Sequence, residues 1–203
     1  MSQTENYQEF LRSRRSFRHF LPRLVPEKVL ERILETTTYA PSAHNCQPWR
    51  FLIIQSFEAK TRLADHLGAA FRDDLLADGL SEAQAYPKIE RSRRRILEAP
   101  LVIILCLDTT EIDIYPDERR QKVEHTMAVQ STALAGGTLL LAAHAEGLGG
   151  VWMCAPLFAP EAVGQALPLP SGWEPQSMLL IGFPVDIPEI RARKPISEVS
   201  RFV

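Results

Sequence analysis

Apolar positions recur every three to four residues in some stretches of this chain and run unbroken in others, and that contrast predicts its elements. Tyr7, Phe10 and Leu11 form a short helical stripe that leads into an arginine-rich segment. Beyond Pro22 a second helix is expected, with Pro26 suited to its first turn. It carries Val29, Leu30, Ile33 and Leu34 on one face and Glu27, Glu31 and Glu35 along another, and must end near Ala40 and Pro41. The segment PSAHNCQPW then has the prolines, Ser and Asn of a loop. Residues 51–54 and 101–107 read as buried strands, and 151–155 and 177–183 as two more. Residues 58–98 read as helical but irregular, and 160–167 as a short helix. A Pro- and Arg-rich tail closes the chain.

Between Glu124 and Glu146 lie twenty-one residues without a formal charge, enough to span a bilayer by length. Polar positions such as His125, Gln130, Thr132 and His144 interrupt them, so a buried helix is expected rather than a membrane span. Met127, Leu134, Leu141 and Ala145 mark one face of that helix. Its Ala, Gly, Ser and Thr residues would let another backbone approach, as in a central helix or one at a subunit interface. Gly147, Gly149 and Gly150 are placed to stop it. Helices with about four interspersed strands and no repeat give an α/β or α+β class. No internal boundary is visible, so residues 1–203 read as one domain.

The charges refine this picture. The chain has 203 residues with 23 Lys+Arg against 25 Asp+Glu, a formal net charge of −2. A near-neutral total does not suit a protein whose partner is a polyanion, which argues against nucleic acid and anionic membrane surfaces. Arg12, Arg14, Arg15, Arg18 and Arg23 nevertheless follow one another with no acidic residue between them. A second basic set, Arg191, Arg193 and Lys194, stands near the other end, and a third run, Arg91, Arg93, Arg94 and Arg95, reads as a solvated helix face. Cys46, Cys106 and Cys154 are odd in number and lack metal-ligand spacing, which favours a reducing, cytoplasmic setting and no structural metal. No GxSxG, GxxxxGK[ST], HExxH or GxGxxG motif is present, and the five histidines are scattered. The side-chain inventory by itself therefore names no reaction, and spacing alone leaves the basic sets as solvated surface.

RSRRSFRHF followed by APSAHNCQPWRF resembles the N-terminal signature of the FMN-dependent nitroreductase family, and EGLGGVW with the closing IGFP…RARKP resembles its C-terminal motifs. Within that family YPDERRQKVEHTM, GLGGVW and LPSGWEP are most similar to the flavin-binding C-terminal domain of the bifunctional enzyme of deazaflavin-coenzyme biosynthesis. The resemblance implies an α+β, three-layer α/β/α fold with a mostly antiparallel mixed sheet, a C-terminal extension, and a homodimer holding FMN at the subunit interface. By motif match Arg14, Arg15 and Ser16 would hold the phosphate and ribityl chain, and Arg18 would approach the pyrimidine edge of the ring. Pro41, Ser42, Ala43 and Asn45 would come from the partner subunit, and Arg193 with Lys194 would reach the phosphate. Backbone amides near Cys154, Ala155 and Leu157 would face the ring, Pro156 having no N–H.

The flavin would carry the chemistry, so no catalytic side chain is required and Arg18 acts electrostatically. The implied activity is hydride transfer from NAD(P)H, through FMN, to an electron-poor acceptor such as a nitroaromatic, a quinone or an unsaturated biosynthetic intermediate. A reduced deazaflavin is the alternative donor. Reduction of the dehydro form of the deazaflavin coenzyme, and non-enzymatic flavin binding, are the alternative functions.

Overall fold

The unbroken apolar run LVIILCL becomes the centre of the molecule. The computed structural model describes residues 2–203, and in it this run forms β2 (Leu101–Asp108), buried along its whole length. It pairs antiparallel with β1 (Trp49–Ile54), Trp49 facing Leu107 and Ile54 facing Val102. On its other side it pairs antiparallel with β4 (Trp173–Gly182), with a register shift at Leu105/Cys106. β3 (Gly149–Met153) closes the sheet against β4, giving the order β1-β2-β4-β3. Because successive strand residues point to opposite faces, β2 serves two cores. Val102, Ile104 and Cys106 pack with Leu63, Leu67, Ile96 and Val163, whereas Leu101 and Ile103 pack with Leu30, Ile33, Leu139 and Ala143. Each fully buried Leu or Ile contributes about 1.5–3 kcal/mol of transfer free energy, and the sheet keeps both sides covered by helices.

One face is covered by α3 (Phe57–Ala77), α4 (Glu82–Glu98) and α7 (Pro160–Ala166), and the other by α2 (Glu27–Thr37) and α5 (Glu118–Ala145). The architecture is therefore the expected α+β, three-layer fold. Residues 58–98 resolve into two helices rather than one irregular stretch. Pro26 is the residue before α2 rather than its first turn.

The orientation of α5 differs from the expected one. The face that packs on the sheet is a stripe of small residues, Ala128, Ser131, Thr132, Ala135, Gly136 and Ala143, with Leu139 as its one large apolar side chain. Leu134 is half exposed and Ala145 lies on the surface, while Met127 and Leu141 are only part-buried. Small residues win the inner face because the sheet brings bulk of its own. A Cβ on Gly136 would stand 2.3 Å from the Trp152 ring and 2.7 Å from Leu105. α5 is long and apolar enough to cross a membrane by length and composition, and half of its most apolar window is buried in the protein.

After α1 (Gln3–Ser13) the chain runs along the free edge of β3. Ser16 makes a parallel bridge to Gly150, the Phe17 N–H donates to the Gly150 carbonyl at 3.1 Å, and Phe20 bridges Pro184. The Ser16 bridge is a single parallel pairing outside the four strands, which all pair antiparallel. The tail beyond β4 crosses the same segment, the Val185 N–H donating to the His19 carbonyl at 3.3 Å. It then continues, almost wholly exposed, through the single turn α8 (Ile196–Val199).

Candidate functional site

That crossing brings the two basic sets together. Arg14, Arg15, Ser16 and Arg18 form one wall of a cleft of about 440 Å³, and Glu189, Ile190, Arg191 and Arg193 form the opposite wall. Lys194 is not among the lining residues. The first wall is held by Phe17, which is buried under the sheet edge while its neighbours stay in reach of solvent. Gly149 makes this possible: a Cβ there would meet the Phe17 side chain at 2.6–2.8 Å. Of the glycines expected to stop α5, Gly147 takes the left-handed conformation that ends a helix (φ 73°). Gly149 instead admits the cleft's first wall, a role that helix-stop reasoning missed.

What separates this cleft from the rest of the surface is the gathering of five arginines around one cavity. Several arginines elsewhere are matched to carboxylates, such as Arg32 to Glu146 at 2.6 Å, Arg50 to Asp108 at 3.1 Å and Arg93 to Asp65 at 2.8 Å, while others, Arg12, Arg23 and Arg119 among them, stand singly on the surface. Among the described residues Arg14, Arg15, Arg18, Arg191 and Arg193 make no such pair. Arg14 donates to the Arg15 carbonyl at 3.1 Å, and Arg15 donates to the carbonyls of Arg12 and Arg14. The Arg15 Nε is buried with no partner. Forked cations that outnumber the one carboxylate of the lining, Glu189, and make no ion pair with it are suited to a phosphate or carboxylate, which they grip through paired, charge-assisted hydrogen bonds.

Two flanking groups feel this charge. Burial, then the charges of Arg14 and Arg15, hold the His144 imidazole below its ordinary pKa; its ring stacks on Phe10 and its Nε2 lies 2.7 Å from the Ser13 hydroxyl. Burial, then Arg18, Arg91 and Arg94, push the Arg95 guanidinium below its usual value. Arg95 of the basic run is thus not a simple solvated residue: it sits part-buried among like charges, Arg18 among them. Sequence spacing gave no sign of this, because the repulsion acts between α4 and the segment after α1.

The far end of β3 offers different groups. Cys154 is exposed and Ala155 begins the one-turn helix α6 (Ala155–Phe158). The Leu157 N–H, one of the expected ring-facing amides, donates to the Cys154 carbonyl at 2.9 Å. Pro156 has none to give, so the N–H groups of Cys154 and Ala155 are the donors left at this turn.

Pro41, Ser42, Ala43 and Asn45 do not line the cleft of their own chain. Their loop packs against α5, the Ala43 N–H donating to Ser131 Oγ and the Gln47 N–H to Ser42 Oγ, both at 3.2 Å. His44, Asn45 and Gln47 have φ of 51°, 56° and 48°, a conformation that costs non-glycine residues about 1 kcal/mol or more each. Arg50 and Asp108 hold the loop's end. Arg50 donates to the Gln47 and Trp49 carbonyls, and the Asp108 N–H donates to the Pro48 carbonyl at 2.8 Å. Burial pushes the Asp108 carboxyl up, but Thr110 hydrogen bonds and the Arg50 charge outweigh it and leave the group below its usual range. Cys106, by contrast, is pushed up to about 12 by burial and holds its proton at neutral pH.

This chain matches the nitroreductase family model over residues 11–183. It belongs to that family. Among relatives, it is 32% identical over 198 residues to the 5,6-dimethylbenzimidazole synthase of Rhodospirillum rubrum, covering 93% of this chain and 83% of that one. It is 28% identical over 190 residues to a Bacillus subtilis protein assigned as an NAD(P)H nitroreductase, covering 94% and 90%. It is also 30% identical over 202 residues to an iodotyrosine dehalogenase 1 homolog of Caenorhabditis elegans. That match covers 96% of this chain, which spans only 60% of that relative's length. The fold is shared with a BluB-like flavoprotein of Clostridium difficile 630 (TM-score 0.79, 22% identity, 97% and 98% covered). It is shared too with a protein from Desulfovibrio desulfuricans assigned to the nitroreductases and solved with FMN (TM-score 0.70, 26% identity, 95% and 94% covered). Family membership makes the nitroreductase-family chain a flavin-dependent oxidoreductase.

Proposed function

We propose that the chain, acting as one domain over residues 1–203, is an FMN-dependent oxidoreductase that takes hydride from NAD(P)H and reduces an electron-poor small molecule. The observation that carries this reading is the cleft of five arginines without carboxylate partners, on a chain of this family. The buried, unpartnered Arg15 Nε fits a group that brings its own phosphate oxygens. In this reading Arg14, Arg15 and Arg193 bind the phosphate, and Ser16 offers its hydroxyl to the sugar-like chain. Arg18, always protonated, sets fixed positive charge at the edge of the ring where negative charge accumulates, and Arg95 adds to it. The N–H groups of Cys154 and Ala155 orient the ring's other edge. The flavin supplies the hydride-accepting and hydride-donating centre.

A homodimer completes the site in this account. Pro41, Ser42, Ala43 and Asn45, remote from their own cleft, serve that of the partner. Val123 and Leu134 on α5, and Ile187, Ile190, Ile196 and Phe202 in the tail, are large apolar side chains left half or more exposed, which suits a second copy packed on them. A reduced deazaflavin as donor is a second reading, favoured by the arginine group around Arg18 and Arg95, which suits a further phosphate-bearing tail.

The test is spectral. Purified protein supplied with FMN is expected to be yellow, to bleach when NADPH or NADH is added without oxygen, and to recover colour when a nitroaromatic or quinone follows. Protein that emerges colourless once unbound FMN has been removed by gel filtration overturns the reading.

A further inference from the structure

Beside the turn at Ala155 lies a second cavity, of about 320 Å³, which is the size of a small ligand site. Leu67, Phe71 and Leu75 of α3 form one side, and Ala155 and Phe158 of α6 the other. Two aromatic rings stand at its mouth unpacked, Phe158 at 79% and Phe71 at 38% exposure. The polar groups of the lining are Asp74, Asp78 and Ser92. Neither aspartate has a basic partner among the described residues, whereas the neighbouring Asp73 and Glu82 are both paired with Arg72. The arginines of α4 do not supply the missing charge. Arg93 is held by Asp65, and Arg91 and Arg94 line a separate groove with Glu90.

We propose that this cavity is the acceptor subsite and that it selects flat aromatic molecules carrying a cationic amine. The aromatic body is taken by Phe71, Leu75 and Phe158, and the ammonium by Asp74 and Asp78. The proposal rests on the flavin reading only in taking the cavity as the acceptor's place, because Ala155 belongs both to its wall and to the turn that offers free amides. The charge selection comes from the cavity itself. The carboxylates lie at its rim and are exposed, so the effect is of the size of exposed ion pairs, about five-fold in affinity for a favourable contact, and it fades with added salt.

The test uses FMN-loaded protein and three nitroarenes that share one ring and differ in charge: 4-nitrobenzylamine, 4-nitrobenzyl alcohol and 4-nitrobenzoate. Calorimetric binding is expected to rank amine above alcohol above benzoate, with about five-fold between the first two. In the double variant Asp74→Asn, Asp78→Asn the amine-to-alcohol ratio is expected to fall to about one, and in Phe71→Ala all three are expected to weaken together. A benzoate bound as tightly as the amine overturns the proposal, as does a ratio that survives in the double variant or no binding of any of the three at millimolar concentration. Turnover of the neutral alcohol is read separately. Charge-ranked binding without reduction contradicts the oxidoreductase reading alone, and reduction without charge ranking contradicts this proposal alone.

Discussion

The two ends of β3 carry opposite chemistry on one edge strand. At Gly149 and Gly150 the strand borders a cleft of five arginines that make no ion pair and outnumber its one carboxylate, Glu189. Beyond the other end of the strand, whose five residues rise about 13 Å, Ala155 borders an apolar cavity whose only charged groups are carboxylates. The first end suits a compact anion and the second a flat, apolar body with positive charge. The difference teaches that a chain of net charge −2 separates its charges in space more sharply than in sequence. A strand edge of fixed length then sets how far an anionic group and an aromatic one are held apart.

The comparison breaks most directly at its cationic end. Replacing Arg14 with Ala removes a charge-assisted phosphate contact, worth about 1.5–3 kcal/mol, so FMN affinity is expected to fall by roughly ten- to a hundred-fold. The ranking of charged nitroarenes should not change, which fluorescence titration of FMN beside calorimetry of the acceptors would check. Arg18→Ala is expected to slow reduction by nicotinamide more than it weakens FMN retention, because Arg18 is assigned to the ring edge; stopped-flow absorbance against FMN titration separates the two. Equal losses in both would place Arg18 with the phosphate group instead.

Gly149→Val drives two γ-methyls and a Cβ into Phe17. An overpacked core contact costs about 1–3 kcal/mol, and here it also displaces the arginine wall. Thermal unfolding is expected to shift down and FMN to be retained poorly, while the distant Asp74–Asp78 preference survives.

The smallest expected effect is on pH dependence. His144 has a depressed pKa in the fold, so the unfolded chain takes up its proton first as pH falls. Its contribution to stability is complete above the unfolded value of about 6.5 and is lost as pH drops through the lower folded value. Denaturant unfolding between pH 7.5 and 5 should show this loss, and His144→Asn should flatten it.

Much of this fold is legible in the sequence because its signals are local. LVIILCL has to be a strand buried on both faces, and Leu30 and Ile33 are found on the inner face of α2 as their spacing requires. α5 misleads because periodicity reports where bulk recurs. Here the inner face holds mostly small residues, with Leu139 the exception, and the recurring Met127, Leu134 and Leu141 face outward or lie half-covered. The cleft is only half legible. Its two arginine sets are visible as composition, but their meeting depends on a tail with no regular structure that crosses the segment at His19–Leu21, and only the family likeness joined them beforehand. Ile190 and Glu189 carried no signal of any kind, and the commitment of the Leu157 N–H to the Cys154 carbonyl is a backbone detail that side-chain patterns do not encode. The aspartates of the second cavity lie one turn apart at the end of α3, within a stretch without a motif, and they border a cavity only once α3 and α6 face each other.

The most direct test of the account is the affinity of the purified protein for FMN against riboflavin, which has the same ring and ribityl chain without the phosphate. The arginine cleft predicts that FMN binds at least ten-fold tighter, the contribution of charge-assisted contacts, and that added salt narrows the gap. Equal affinity for the two flavins would contradict it.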